Sequence, residues 1–373
     1  MSEHPSLSIG SIHPRRVRNL VLDEPLELAP RLNVFHGDNG HGKSSLLEAV
    51  YLVCTSKSFR TTKLRELVTH GASEASVEAE ILERRAGLDP LSRKQRLSIA
   101  QSRVTVTIDG NKPSSLAYYA TRTPIVVFHP DELRLSTGPA AGRRRLLDRV
   151  ALYTSPVSAR QLADYTRALR ERQELLRRGI VQGDALDAYE DQAATLGAAL
   201  TRVRAQVVVE LGTELLRAFA RIADPELELH AAYAPAGTDD PERARAELAE
   251  RRARDARAPT ASFGPHRDDL SLQLGEHAAR LVASQGQHRA ITLALKAAES
   301  AVLQRLTGLT PIQLLDDVSS ELDPTRNRAL YTFLRETRGQ VFLTTPRPEL
   351  VEGPFEALER SSFQVVAGRL RRA

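Results

Sequence analysis

Residues 32–54 read Leu32-Asn33-Val34-Phe35-His36, then Gly37-Asp38-Asn39-Gly40-His41-Gly42-Lys43-Ser44-Ser45, then Leu46-Leu47-Glu48-Ala49-Val50-Tyr51-Leu52-Val53-Cys54. The first run is short and apolar, as a buried strand is. The last places Leu46, Leu47, Val50, Tyr51 and Cys54 at helical spacing. Between them Gly37 to Ser44 fits the G-x-x-x-x-G-K-S pattern of a phosphate loop. Glycines let backbone N–H groups crowd around phosphates, and the start of the following helix adds positive potential. Lys43 is expected to reach the β- and γ-phosphates and to act in catalysis, while Ser44 sets a hydroxyl on Mg²⁺. Gly37, Asp38, Asn39, Gly40, His41, Gly42, Lys43, Ser44 and Ser45 are therefore the expected contacts of a nucleoside triphosphate. A chance glycine-rich turn would not come with a strand before it and a helix after it.

Outward from this loop the chain alternates. Val77, Ala79 and Ile81 take every second position, as do Val104, Val106 and Ile108 ahead of Asp109-Gly110-Asn111, a hairpin signal. Ile125 to Phe128 is a further apolar strand, stopped by His129-Pro130. The middle is helical: Leu162, Tyr165, Leu169 and Leu176 mark one helix over 158–178. Tyr189, Leu196, Leu200, Val203, Val207, Leu211, Leu215 and Phe219 mark another over about 186–222. Gly179 to Gly183 can turn the chain between them, so an antiparallel pair is expected, far too short for a long coiled-coil arm. Residues 234–260 read as a connector whose Arg/Glu run is a solvated helix face. Strand 312–315, helix 326–336 and strand 341–344 close the chain.

Composition sets the frame. The 373 residues are 41% hydrophobic and 27% charged with a formal charge of +5, enough chain for two or three domains and too apolar for disorder. No apolar window is long enough for a membrane helix, and Met1-Ser2-Glu3-His4-Pro5-Ser6 lacks a secretory pattern. The single Cys54 cannot form an internal disulfide, and a lone thiol suits the cytoplasm. Arginine far outnumbers lysine; a GC-rich coding bias explains that better than selection for nucleic acid, since a global charge is weak evidence of a partner.

Two further segments carry chemistry. Ile312-Gln313-Leu314-Leu315-Asp316-Asp317 is an apolar strand ending in carboxylates. Beside a phosphate loop, Asp316 is expected to hold Mg²⁺ through water, and Asp317 to orient the attacking water as a general base. Ser284-Gln285-Gly286-Gln287 opens a helix carrying Ile291, Leu295, Ala298 and Val302. On its own it is a favoured helix cap; small and amide residues at a helix start can equally grip a phosphate.

The order phosphate loop, helical insertion, Ser284-Gln285-Gly286-Gln287, acidic strand, Ser320-Glu321-Leu322-Asp323 resembles an ABC-type ATPase head. In such heads the Ser-Gln-Gly-Gln helix faces the nucleotide of a second protomer, so sites are completed only in a head-to-tail dimer. Four segments narrow the likeness to the RecF family of recombination mediators: Ser58-Phe59-Arg60-Thr61, Arg143-Arg144-Arg145-Leu146-Leu147-Asp148, Gly264-Pro265-His266-Arg267-Asp268-Asp269 and Leu314 to Asp323. The resemblance implies an α/β fold with a nucleotide lobe (1–130 plus 305–373) and an inserted, mainly helical lobe (131–304) holding the short helical pair. It further implies a cytoplasmic DNA-repair ATPase with no membrane partner. That ATPase binds double-stranded DNA and single/double-strand junctions, dimerises with ATP, hydrolyses it slowly as a release switch, and works with RecR and RecO to load RecA on gapped DNA. Arg60, Ser284, Gln285, Gly286 and Gln287 are implied nucleotide contacts; Arg144 and His266 are either contacts or structural ion-pair partners. Arg143 to Arg145 and Arg251, Arg252 and Arg254 are candidate DNA contacts.

Three positions depart from the wider ABC pattern. Asp317 stands where Glu is common, Thr344-Thr345 where a switch His is common, and His129-Pro130-Asp131 where a Gln is common. The rival classes are the ATPase subunit of a transporter, an SMC-like structural complex, and a nucleotide-dependent scaffold without meaningful hydrolysis.

Overall fold

The computed structural model describes residues 5–101, 103–223, 227–317, 324–348 and 358–373. The chain divides into two compact units, one of residues 1–133, 221–223 and 292–373, the other of residues 134–220 and 224–291.

The first unit is organised by a six-stranded sheet in the order Arg369–Arg372, Arg360–Val366, Leu32–His36, Val341–Thr345, Ile312–Asp316, Ile125–Phe128. All neighbours run parallel except the edge hairpin Arg360–Val366/Arg369–Arg372. Strands Ile312–Asp316, Val341–Thr345 and Ile125–Phe128 are buried at every position, as continuous apolar runs in a parallel sheet must be. Phe35 stacks between Phe342 and Phe363 of its two neighbouring strands, ring centroids 6.3 and 5.4 Å away.

A second, antiparallel sheet has the order Leu26–Glu27, Ser6–Arg15, Glu74–Arg84, Leu91–Ala100, Arg103–Ile108. Strand Glu74–Arg84 alternates buried and open residues along its length, so one face meets the core and the other meets water. Helix Lys43–Thr55 contacts both sheets, and Leu46, Leu47, Val50, Val53 and Cys54 share one apolar cluster with residues of each. Burial pushes the Cys54 thiol up to about 12. The buried amide of Gln340 joins distant strands by accepting from Ile9 N at 2.7 Å and donating to Ile9 O and Ala29 O at 2.9 and 2.8 Å. A buried amide satisfied in this way holds register rather than costing desolvation.

The expected hairpin at Asp109-Gly110 is only a turn. Asp109 and Gly110 both take positive φ and Ile108 bridges to Asn111. No second strand follows, because Pro113 intervenes and helix Leu116–Thr121 begins. Strand Arg103–Ile108 pairs instead with the preceding strand, Leu91–Ala100.

The second unit contains helices Ala140–Thr154, Ser158–Arg177, Asp184–Ile222 and Pro241–Glu250. The turn between the second and third uses Gly179 and Gly183, both at positive φ. Tyr165, Ala168, Ala193, Ala194 and Leu200 form the seam of this pair, joined by Ala244 and Leu248. The stretch read as a solvated connector is thus partly built into the core. Arg172, fully buried, pairs with Glu190 and with Asp255, each at 2.9 Å. The unit also holds a three-stranded antiparallel sheet, Leu229–Ala234, Asp269–Leu274 and His277–Ala278, which adds β structure to a segment expected to be helical.

The division between the two units falls at 133 and at 291, the latter inside helix Gln285–Thr307. The later part of that helix is tied to the first unit: Ser300 accepts from Gln313 Nε2 at 2.8 Å, and Lys296 Nζ lies 2.7 Å from Glu132.

Candidate nucleotide-binding site

The glycine-rich loop leaves strand Leu32–His36 and enters helix Lys43–Thr55 through Gly42, whose φ is 109° and which offers no side-chain cap. The first-turn N–H groups of such a helix form an anion-attracting end. Gly37 is demanded by packing: at φ 139°, a Cβ there would lie 2.5 Å from the carbonyl oxygen of Val365. Lys43 Nζ donates to Gly37 O at 2.6 Å, Asp38 O at 2.9 Å and Asn39 Oδ1 at 3.3 Å. Burial lowers its pKa, opposed by Asp317, Asp316 and Asp38.

The parallel register carries the acidic strand to the same edge. Val341–Thr345 lies between the loop strand and Ile312–Asp316, with Thr344 level with Phe35 on one side and Asp316 on the other. Ser44 Oγ donates to Asp316 Oδ1 at 2.7 Å. Thr344 Oγ1 donates to the same oxygen at 2.9 Å and accepts from Asp317 N at 2.9 Å. Thr344 therefore orients the Asp316 carboxylate and holds the Asp317 backbone. Asn39, Gly40, Gly42, Lys43, Ser44, Ser45, Arg60 and Asp317 line one cavity of about 280 Å³. A hydroxyl and a carboxylate in contact beside a lysine and a row of backbone N–H groups are hard-oxygen ligands suited to Mg²⁺ and an anion cradle suited to phosphates.

The surroundings include residues that motif reading did not single out. Asn19 Nδ2 donates to Gly40 O at 3.2 Å and its Oδ1 accepts from Ser45 Oγ at 3.0 Å. Gly368 N donates to His41 O at 2.8 Å from the turn of the C-terminal hairpin. Glu48, wholly buried on the loop helix, pairs with Arg18 at 2.9 Å and Arg60 at 3.5 Å. No pattern in one segment announces these contacts; only the acid Glu48 amid the apolar residues of its helix offers a signal.

His129 ends strand Ile125–Phe128 and is buried; burial lowers its pKa. Its ring lies 5.3 Å from that of Phe59. Thr345 Oγ1 accepts from Arg347 N at 3.1 Å.

Ser284 to Gln287 belong to the second unit. Ser284 N donates to Gln287 Oε1 at 2.7 Å, and Gln287 N donates to Ser284 Oγ at 3.2 Å, a reciprocal capping box. Ser284 and Gln285 are exposed, Gly286 and Gln287 half-buried. Because the Ser284 hydroxyl oxygen accepts in this box, its proton is left to donate outward.

Arg143 is inward: it holds Asp269 through two bonds of 2.7 and 2.9 Å and donates to Leu135 O and Gly138 O. Arg144 donates to Asp268 O at 2.7 Å. His266 lies between Tyr165 Oη at 2.7 Å and Ala261 O at 2.9 Å. Arg251 sits over the Phe263 ring at 5.2 Å, and Arg252 pairs with Asp187 and Glu190. These four arginines and His266 are engaged in intramolecular contacts. Ser320 to Asp323 lie outside the described residues.

Residues 9–364 match the family model of the RecF/RecN/SMC N terminal domain. The DNA replication and repair protein RecF of Anaeromyxobacter dehalogenans (strain 2CP-1) is 40% identical over 374 aligned positions, covering 97% of this chain and 98% of that protein. The protein of the same description from Myxococcus xanthus is 36% identical, covering 92% of each. A solved structure of the recombination mediator protein RecF with ATP superposes with a TM-score of 0.84 at 26% identity, over 99% of this chain and 98% of that one. An Smc head bound to the C-winged helix domain of ScpA superposes at 0.55 with 14% identity, over 98% and 96%, a likeness of fold alone.

Proposed function

Because this chain belongs to the RecF family and has the ABC-type ATPase head fold, we propose that it is an ATP-gated DNA-binding protein of replication and repair. The observation that carries this reading is the 2.7 Å contact between Ser44 and Asp316, which joins the phosphate loop to the acidic strand at one edge of the parallel sheet.

Loop N–H groups from Gly40 to Ser45 hold the phosphates, and Lys43 exchanges its loop carbonyls for β- and γ-phosphate oxygens. Ser44 and Asp316 would hold Mg²⁺, which when bound neutralises phosphate charge. Arg60 adds positive charge at the same cavity. Asp317 accepts a proton from the water that attacks the γ-phosphorus, and ADP leaves from the opposite side. Asp317 is one methylene shorter than Glu and so stands further from that water, which makes turnover slow.

Ser284 of a second copy donates its free hydroxyl proton to the γ-phosphate, with Gln285, Gly286 and Gln287 around it. ATP thereby favours a closed pair of heads that retains duplex DNA or a single/double-strand junction, and hydrolysis releases it. RecR and RecO then direct RecA to the gap, in the cytoplasm. The deciding experiment measures duplex binding and sedimentation with and without ATP. ATP should produce both dimer and bound duplex; Lys43→Arg binding duplex with unchanged ATP dependence would sink the gating mechanism.

A further inference from the structure

We infer that the ledge formed by residues 15–18 and 57–66 is a contact surface for the phosphate backbone of duplex DNA, with Lys63 and Arg65 as its outer pair. This rests on the DNA-binding reading above and names the surface that reading leaves open.

The segment Lys57-Ser58-Phe59-Arg60-Thr61-Thr62-Lys63-Leu64-Arg65 carries four basic residues and no acid. Lys57, Arg60, Lys63 and Arg65 are all exposed. A second basic segment, Arg15-Arg16-Val17-Arg18, is zipped alongside: Val17 bridges Val68, Arg18 N donates to Leu67 O at 2.6 Å, and Thr69 N donates to Arg16 O at 2.9 Å. Arg15 and Arg16 are exposed as well. The ledge itself contains one acid, Glu66, and a second, Glu74, lies beside it. Glu66 accepts from Thr61 Oγ1 at 2.7 Å, and Glu74 faces Arg16 at 3.6 Å. Among the described residues neither Lys63 nor Arg65 forms an ion pair.

The ledge is ordered from beneath. Buried Glu48 takes Arg18, Arg60 and the Ser58 hydroxyl. Ser58 Oγ accepts from Arg60 N and Thr61 N at 3.0 and 3.1 Å, and Thr61 Oγ1 accepts from Lys63 N at 3.1 Å. Leu67 is wholly buried, and Phe59 sits edge-on to Tyr51 at 5.6 Å. Lys63 and Arg65 therefore project from a fixed base.

The occupant follows from what the ledge lacks. Among the described residues it exposes no large apolar side chain, whereas a protein partner needs an apolar centre. Fixed positive charge without apolar anchors suits a regular row of phosphates. It also accounts for a net charge of only +5: the charge is gathered locally.

The test uses the full chain carrying Lys63→Gln with Arg65→Gln, and measures duplex affinity with ATP across a salt series. Two lost phosphate contacts should lower the log–log salt slope by about 1.8 and weaken binding at least tenfold at fixed salt, with ATP binding and ATP-dependent sedimentation unchanged. The charge-keeping pair Lys63→Arg with Arg65→Lys should retain the wild-type slope. A Gln variant with wild-type slope and affinity overturns the ledge but leaves the DNA reading standing. A wild-type chain that fails to bind duplex with ATP overturns both. Equal affinity for an RNA duplex of the same length overturns the assignment to DNA.

Discussion

The carbonyl oxygen of Asn19 lies 1.8 Å from where a Cβ on Gly368 would stand. The C-terminal hairpin and the segment before the phosphate loop are thus in backbone contact, and Gly368 also donates to His41 O within that loop. Gly368→Ala must separate them, at φ 80°, where an L side chain is already strained. Overpacking of this kind costs about 1–3 kcal/mol. Denaturant unfolding should show that loss, and ATP titration should show a weaker affinity despite the distance in sequence. A variant with wild-type affinity would break the link between hairpin and loop.

Asp317→Asn removes the proposed proton acceptor while keeping its size. Turnover should fall by about 10²–10⁴ with ATP binding retained, and dimers should accumulate in sedimentation with ATP. Unchanged phosphate release would exclude Asp317 as the base.

Ser284→Arg places bulk and charge at the proposed partner-facing hydroxyl. ATP binding should survive and ATP-dependent dimers should vanish. The substitution also removes a helix cap, a cost of about 1 kcal/mol. Ser284→Asn keeps a capping oxygen and isolates that cost. Wild-type dimers from the Arg variant would remove Ser284 from the interface.

His266 ties stability to pH. Ala261 O can only accept, so Nε2 carries the proton and Nδ1 accepts from Tyr165 Oη. Burial lowers the His266 pKa in the fold, while in the unfolded chain it returns to about 6.5. The unfolded state then binds more protons, so this contribution is whole above about pH 6.5 and is lost as pH falls toward the folded value. Urea unfolding at about pH 7.5 and 5.5 should show lower stability in acid, and His266→Gln should flatten the difference. An equal acid loss in that variant would clear His266 of the effect.

The parts legible in sequence were those whose chemistry is contiguous. The loop from Gly37 to Ser45 declares itself because one strand end, one glycine turn and one helix start must follow in order. The strand ending at Asp316 is readable as a largely apolar run stopped by acids, and the helical pair by its period. Strand Leu229–Ala234 is not legible, since in Leu229-His230-Ala231-Ala232-Tyr233-Ala234 small residues blur the alternation, whereas Asp269–Leu274 does alternate at Leu270, Leu272 and Leu274.

What the sequence by itself determined is thus the nucleotide loop, the acid strand and the order that marks the family. Tertiary structure alone decided that Ser44 meets Asp316, that Thr344 holds the Asp316 carboxylate and the Asp317 backbone, that Asn19 and Gly368 brace the loop, and that Arg143, Arg252 and His266 face inward. It also decided that the basic residues near 16 and 63 share one ledge. Each of these depends on segments far apart in the chain meeting in the fold; for Asp316 and Thr344 the parallel strand register decides it, and a one-residue slip there would turn every side chain of a strand to the opposite face.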